Sequence, residues 1–495
     1  MSVLVVDVGT SSVRAAVVRP GGTGTRGASV GHVHTVAVLP STPFPGLVEL
    51  DASAMADAVL TVAGRALAEG GPVRAVGIAN QRASTVVWDR TTGEPVGPGL
   101  GWQDLRTVGT CLELQARGIR TAPNASATKV AALLDMADPD RSLASSGRLA
   151  FGTVDTWVAW TLSRGSLHVT DATNAGVSGL VTGDAGGWDP AILDALHIPE
   201  AMLPTIVASS GEIGPATALP GAPVIAGMAG DQQASMIGQG CLRPGLAKAT
   251  FGTGGMLDLF VGPTRPVATG RGPAGTFPIV AWRHDGHQDW AVEAIMLTAG
   301  TCVEWLRDDL GLVESAEASS EVAARCSDTG GVWFVPALLG MGTPVWDFGA
   351  RGAFTGITRG TDRPAMVRAV LQGVAHRGAD LLEAAEADAG STVATLRIDG
   401  GMTGNDVFVR ALADACGRPV AVSREREATT LGAGYLAGMA TGLWAGPDEV
   451  CDDWSPAVVV DPHSDETVRA EERAAWLRAR ERALGTIPEL SSIDF

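Results

Sequence analysis

Two aspartates and three Gly/Thr-rich turns are the groups in this sequence best placed to do chemistry. Asp231 stands alone as an acid in GMAGDQQASMIGQG (residues 227–240), between a glycine turn and two glutamines. A carboxylate there either caps a helix by accepting a backbone N–H or takes the proton from a reacting hydroxyl. Asp7 ends the first apolar run, in VLVVDVGTSS. At a strand end next to a polar turn, a carboxylate can hold a water-bound Mg²⁺ beside phosphates. The turns are Gly9-Thr10-Ser11-Ser12, Gly252-Thr253-Gly254-Gly255 and Gly400-Gly401, each after a strand-like run. Such turns aim backbone N–H groups into one concavity, and glycine lets a phosphate approach closely. Thr10, Ser11 and Thr253 add hydroxyl donors. One such turn alone is a hairpin; three at strand ends, in two similar halves, point to phosphate binding.

The elements that must position these groups alternate in type. Residues 3–6 read as a strand and residues 13–18 as its return; 33–39 read as a third strand. DASAMADAVLTVAGRALAEG reads as a helix capped by Asp51 or Ser53 and stopped at Gly70, followed by a buried strand over 73–80. The pattern recurs after GQGCLRPG: 245–260 reads strand, turn, strand, and ATLRIDGGMTGNDVFVRALADACG reads strand, turn, helix. The expectation is an α/β protein of two similar halves meeting near residues 238–245. The tail DETVRAEERAAWLRARERALG reads as a charged, solvated helix with Val468, Ala475 and Leu484 as its contact points.

Bulk properties exclude several functions. At 495 residues the chain exceeds one ordinary core. A net charge of -18 argues against unaided binding to nucleic acid or an anionic membrane. No apolar run approaches the roughly 20 residues that span a bilayer, and the first residues do not read as a secretory signal, so the expected location is the cytoplasm. The six cysteines are scattered without metal-ligand spacing and are expected to be reduced. Lysine occurs only at Lys129 and Lys248, in ATKV and LAKAT. Neither fits a P-loop or a protein-kinase strand lysine, so a nucleotide would have to be held by backbone and hydroxyls. GTGTRG (residues 22–27) matches a dinucleotide fingerprint but opens no helix and reads as a hairpin loop. Asn124-Ala125-Ser126 fits a glycosylation sequon by chance.

A resemblance runs over nearly the whole chain, from VVDVGTSSVRAAVV to TTLGAGYLAGMATGLW, with dense blocks NQRASTVVWDRTTGEPV, WQDLRT, ATKV, FGTVDTWVAWTL, HVTDATNAG, AGDQQASMIGQ, FGTGG, ALLGMGTPVWDFGARGAFTGITRG and LRIDGGMTGND. The sequence resembles the FGGY carbohydrate kinases, most closely the glycerol kinases among them. The resemblance implies two RNase H-like domains of the actin-like ATPase fold with an active-site cleft between them. It implies an acceptor-binding N-terminal domain over 1–240, a nucleotide-binding domain over 241–445 and a C-terminal helical extension over 446–495. By the same resemblance Asp7 positions the metal, and Thr10, Ser11 and Ser12 form the first phosphate loop, with Arg14 beside it. Thr253 belongs to the second loop, and Gly300, Gly401 and Asn405 line the nucleotide; Glu304 stands where the family usually has glutamine. Asp231 matches the catalytic base. Arg82, Trp102 and Gln232 match acceptor-contacting positions. Two positions depart: Ala83 replaces a glutamate, and Asn124 replaces a tyrosine.

The implied activity is ATP- and Mg²⁺-dependent phosphorylation of a small polyol, glycerol to glycerol 3-phosphate as first candidate. Ala83 and Asn124 keep open a larger polyol or ketose such as erythritol or xylulose. A different class, a non-transferring actin-like ATPase or sugar sensor, would need a peptide-binding or DNA-binding module that the sequence does not supply. A homodimer or homotetramer is the family expectation.

Overall fold

The computed structural model describes residues 1–21, 27–268 and 270–494. The loop read over residues 22–27 therefore lies, apart from Gly27, outside the described residues. The strand Val3–Val8 is apolar at every position but Asp7 and buried throughout, because it is a central strand. It pairs antiparallel with Ser12–Pro20 and parallel with Ala75–Asn80. Ala75–Asn80 pairs parallel with Val224–Gly230, which pairs antiparallel with Ser210–Pro215. The second half repeats this start. Ala247–Phe251 forms a hairpin with Gly255–Gly262 and pairs parallel with Leu396–Asp399, which pairs parallel with Val420–Ser423. His287–Met296 and Phe277–His284 extend the antiparallel side. Among the described residues, the half-sheets pair at one position, Ser210 with His284. The parallel strands of both halves thus end toward one cleft, where α/β sheets place ligands.

Helices cover the sheet as their spacing dictates. Ala52–Gly70 starts at Asp51, whose carboxylate accepts from the Ala54 N–H at 2.9 Å. It buries Met55, Val59, Val62 and Ala66, one helical face. A helix of the second half, Ala428–Ala440, crosses back onto the first half-sheet and packs on the helix Asp231–Gly238. Only glycine permits the crossing: a Cβ on Gly432 would lie 1.7 Å from the Ala234 carbonyl oxygen, and one on Gly238 1.9 Å from that of Ala428. No described helix is long and apolar enough to cross a membrane.

The tail departs from its reading as a helical extension. Pro456–Val460 pairs antiparallel with Val420–Ser423 and adds an edge strand to the sheet. Around the helix Glu466–Glu481 the stripe read from the sequence holds in part. Leu484 packs against the core and Ala475 is half-buried, but Val468 is 40% exposed, and the main contacts are the buried Trp476, Ala479 and Ala483. The physical reason is Asp380, fully buried on the helix Arg363–Ala389. It draws in Arg377, Arg473 and Arg480 and accepts from the Trp476 indole at 3.2 Å. Arginines counted as solvent-facing are thereby consumed in an internal network. Burial alone would raise the Asp380 pKa, but the three guanidinium groups outweigh it and bring it down to about 2. A depressed carboxylate pKa gives stability that is full above the unfolded value of about 4 and is lost as pH falls through about 2. Asp380→Asn is expected to lower stability at pH 7 by about 3–5 kcal/mol, the scale for breaking a buried ion pair. Thermal unfolding should show this difference shrink below pH 4; equal melting temperatures at pH 7 would refute it.

Candidate active site

The turns read as phosphate loops lie at strand ends of both halves. Asp7 is 2% exposed and pairs across its hairpin with Arg14. The Arg14 guanidinium lies 3.4 Å from Asp7 and 3.2 Å from Glu427. Burial pushes the Asp7 pKa up to about 6; Arg14 opposes this, while Asp231 and Glu427 add to it. The Gly9 N–H closes the turn on the Ser12 carbonyl at 2.9 Å, and the Gln81 amide donates to the Gly9 carbonyl at 3.1 Å. Ser11 is exposed at the tip, and Ser12 begins the return strand. Opposite, the Thr253 turn is exposed and backed by Gly300, whose N–H donates to the Gly252 carbonyl at 2.8 Å. Gly401 is exposed at the start of a short 3₁₀ turn. Glu304 is exposed one helical turn beyond Gly300.

A pocket between these turns is lined by Asp7, Arg14, Gln232, Thr250, Asp399 and Glu427, among others. Asp399 accepts from Ser235 and Gln239 through one oxygen, while its other oxygen is buried without a hydrogen-bond partner. A buried, high-pKa carboxylate and an orphaned carboxylate oxygen in one pocket fit a hard divalent cation, which takes oxygen ligands. Asp399, Arg426 and Glu427 were not singled out in the sequence. A signal for Asp399 existed: IDGG repeats the strand-end acid before a glycine turn that VVDVG shows at Asp7.

Asp231 sits at the tip of Val224–Gly230. Gly230 is the helix cap, and Asp231 is the first helical residue, so its carboxylate is not spent as a cap. It accepts from the neighbouring Gln232 N–H at 2.8 Å and faces Arg82 Nε at 3.5 Å. Its side chain keeps 35% exposure and lies within electrostatic reach of Asp7. Burial raises its pKa; Arg82, the Gln232 N–H and Lys248 pull the other way. The junction is held from behind. The Gly230 N–H donates to Thr173 Oγ1 at 2.9 Å, the Thr173 hydroxyl donates to Asp171, and Asn174 joins Asp171 to Asn80. These residues lie in the HVTDATNAG block, to which the sequence reading gave no role.

The residues expected to contact the acceptor make contacts that cross between the halves. Arg82 reaches Glu293 on the strand His287–Met296 at 2.7 Å. Its stem passes Gly230 so closely that a Cβ there would stand 2.6 Å from Arg82 Cδ. Burial disfavours the Arg82 charge, but Glu293, Asp231 and Asp258 outweigh it and raise its pKa. Gln232 Oε1 accepts from Lys248 Nζ at 2.6 Å, and Lys248 lies 2.9 Å from Asp258, both fully buried. With its oxygen engaged, the Gln232 amide is left its NH₂ to donate. Trp102 reaches Thr10 through its indole N–H at 3.4 Å, joining the acceptor side to the first turn. Ala83 is buried at a left-handed φ of 60°, its carbonyl accepting from the Ser126 hydroxyl at 3.0 Å. Asn124 is exposed, in a loop braced by buried Lys129, which donates to the carbonyls of Trp102, Pro123 and Ala125. Asn405 stands apart: its side chain caps the helix Asp406–Cys416 and donates to Ser319.

Two half-sheets of repeated topology, each ending in a Gly/Thr turn at a shared cleft, define a two-domain α/β kinase that works between its halves. Residues 2–238 match the N-terminal domain of the FGGY family of carbohydrate kinases, and residues 247–441 match its C-terminal domain. A glycerol kinase of Trichlorobacter lovleyi is 42% identical, with 98% of this chain and 99% of that one covered. The structure of Plasmodium falciparum glycerol kinase with ADP matches with a TM-score of 0.90 at 27% identity, over 98% of each chain. A xylulose kinase from Rhodospirillum rubrum shares the fold at a TM-score of 0.82 and 21% identity, over 99% of each chain. The chain belongs to the FGGY family of carbohydrate kinases, and it is an ATP-dependent kinase with an alcohol group as acceptor. That membership removes the reading as a non-transferring ATPase or sensor.

Proposed function

We propose that the protein transfers the γ-phosphoryl group of ATP to a terminal hydroxyl of glycerol, giving glycerol 3-phosphate. The observation that carries this is Asp231, open to the cleft at the start of a helix, with Arg82 and Gln232 beside it. Phosphoryl transfer asks the protein mainly for positioning and charge neutralisation. Arg82 and the Gln232 amide donate to the acceptor hydroxyls, and the Trp102 ring covers its C–H groups. Asp231 takes the proton of the attacking hydroxyl, and its raised pKa makes it a better base than an ordinary carboxylate. The turns at Thr10 and Thr253 hold the phosphates. Asp7, with Asp399 across the pocket, would hold Mg²⁺, which would supply charge neutralisation to the phosphates. Closure of the halves excludes water, so that phosphate passes to the alcohol. The chemistry draws on ATP and so belongs in the cytoplasm, and a homodimer or homotetramer is the expected assembly. Turnover of ATP with Mg²⁺ against a polyol and sugar panel, with the product identified by NMR, tests the reading. Acceptor-independent hydrolysis would defeat it.

Ala83 and Asn124 favour one second reading, a preference for a larger polyol. Losing a carboxylate and a ring from the pocket removes a hydroxyl acceptor and one wall. Hydrogen-bonded recognition of hydroxyls discriminates strongly. Ala83→Glu with Asn124→Tyr is expected to raise kcat/KM for glycerol roughly tenfold or more, the worth of one regained charged hydrogen bond of about 1.5–3 kcal/mol. A protein that already prefers glycerol strongly, and loses activity on this double change, would show that the pocket binds glycerol through other groups.

A further inference from the structure

The hairpin that carries Thr10 and Ser11 has a second cluster of reactive side chains at its outer edge, away from the cleft. The strand His34–Ala37 pairs antiparallel with residues 12–15, and His34 stands opposite Ala15. His32 precedes it by two residues, a spacing that puts both side chains of an extended chain on one face. Glu69, in the last turn of Ala52–Gly70, completes the group. The candidate ligand atoms of His32, His34 and Glu69 all lie within 4.8 Å of one another. The two imidazoles meet edge to face with centroids 4.7 Å apart. His34 Nε2 is shielded from solvent and lies 3.0 Å from a Glu69 oxygen, yet it makes no aligned hydrogen bond. A shielded ring nitrogen that lies beside a carboxylate oxygen without an aligned hydrogen bond suits two donor atoms that share a cation. The electrostatics agree. The C-terminal end of a helix carries negative partial charge, and the last turn of Ala52–Gly70 holds no basic side chain. Arg19, beside the end of this helix, is engaged with the Gly70 carbonyl at 2.8 Å.

We propose that His32, His34 and Glu69 form a binding site for a divalent transition-metal ion of borderline softness, Zn²⁺ first, with Ni²⁺ and Cu²⁺ in the same class. Two imidazoles and one carboxylate suit these ions, whereas Mg²⁺ prefers all-oxygen ligands. Three protein ligands leave a fourth position for water. Zinc–ligand distances of about 2.0–2.2 Å require the donor atoms to draw together; His32 and Glu69 are exposed and can turn to do so. The ion would tie the strand His34–Ala37 to the end of the helix, on the hairpin strand that also carries Arg14. The site therefore bears on the firmness of the phosphate-turn hairpin and leaves the cleft untouched.

The test uses the full chain, treated with chelator and then titrated with ZnCl₂ in a non-chelating buffer with excess Mg²⁺ to occupy all-oxygen sites. Calorimetry should give one micromolar site per chain, Zn²⁺ should raise the melting temperature, and Co²⁺ should report imidazole ligation by its visible absorption. His32→Ala, at an exposed position, should fold normally, turn over ATP at the parent rate and lose affinity roughly tenfold or more; Glu69→Gln should do the same. The proposal is overturned if the parent chain binds no Zn²⁺ in this range. It is equally overturned if both variants bind as the parent does, which would move the ion to the cysteines or to surface acids.

Discussion

Asp231→Asn is expected to lower kcat by about 10²–10⁴, the range for a lost general base, with the fold and nucleotide affinity kept. Asparagine matches aspartate in shape and keeps an oxygen for the Gln232 N–H. What it loses is the proton acceptor and the negative charge facing Arg82. In the proposed role the carboxylate acts in its base form, and burial raises the pKa of Asp231 from its ordinary value. Parent kcat/KM should therefore fall as pH drops through that raised value, and the residual activity of the variant should lack this limb. Steady-state rates across pH, with ADP binding by calorimetry as the control for folding, measure both. A folded variant with near-parent kcat would remove Asp231 from the role of base.

The chemistry-bearing strand ends were legible because they obey local rules. A β-branched run followed by Asp, Gly and hydroxyls reads as a strand and a tight turn without tertiary information, and the strand Val3–Val8 and its turn appear as read. The same holds for Asp51, which caps its helix as its residue type dictates. Groups whose role depends on the other half of the chain were not legible. Glu293 and Asp258 sit inside strands with no local motif, and they matter only because the fold carries them to Arg82 and Lys248. Asp231 shows a finer limit. Its residue type predicts a cap, yet Gly230 takes that position and shifts the carboxylate by one residue, into the cleft. The tail helix failed for a related reason: charge read as solvent exposure, while buried Asp380 draws its arginines inward.

Arg82→Leu is expected to be as damaging as the loss of the base, but by a different signature. Arg82 stands between two carboxylates, Asp231 at 3.5 Å and buried Glu293 at 2.7 Å. Leucine fills part of the stem volume and leaves Glu293 buried without its partner, a loss on the scale of 3–5 kcal/mol, which felt in the cleft is about 10²–10⁴ in kcat/KM for the acceptor. Burial already raises the pKa of both Asp231 and Glu293, and in each case Arg82 is the largest opposing influence. Removing it pushes both values further up. Activity needs Asp231 deprotonated, so the acid limb of kcat/KM should move to higher pH in Arg82→Leu, whereas Asp231→Asn abolishes it. Glu293→Gln in the same background relieves the unpaired charge and should restore folding stability. It should not restore acceptor affinity, because the donor to the hydroxyls is still missing. Melting temperatures and pH–rate profiles of the single and double variants separate these effects. An unshifted acid limb in Arg82→Leu would mean that the guanidinium does not set the protonation of the base, and that its contact with Asp231 is incidental to the reaction.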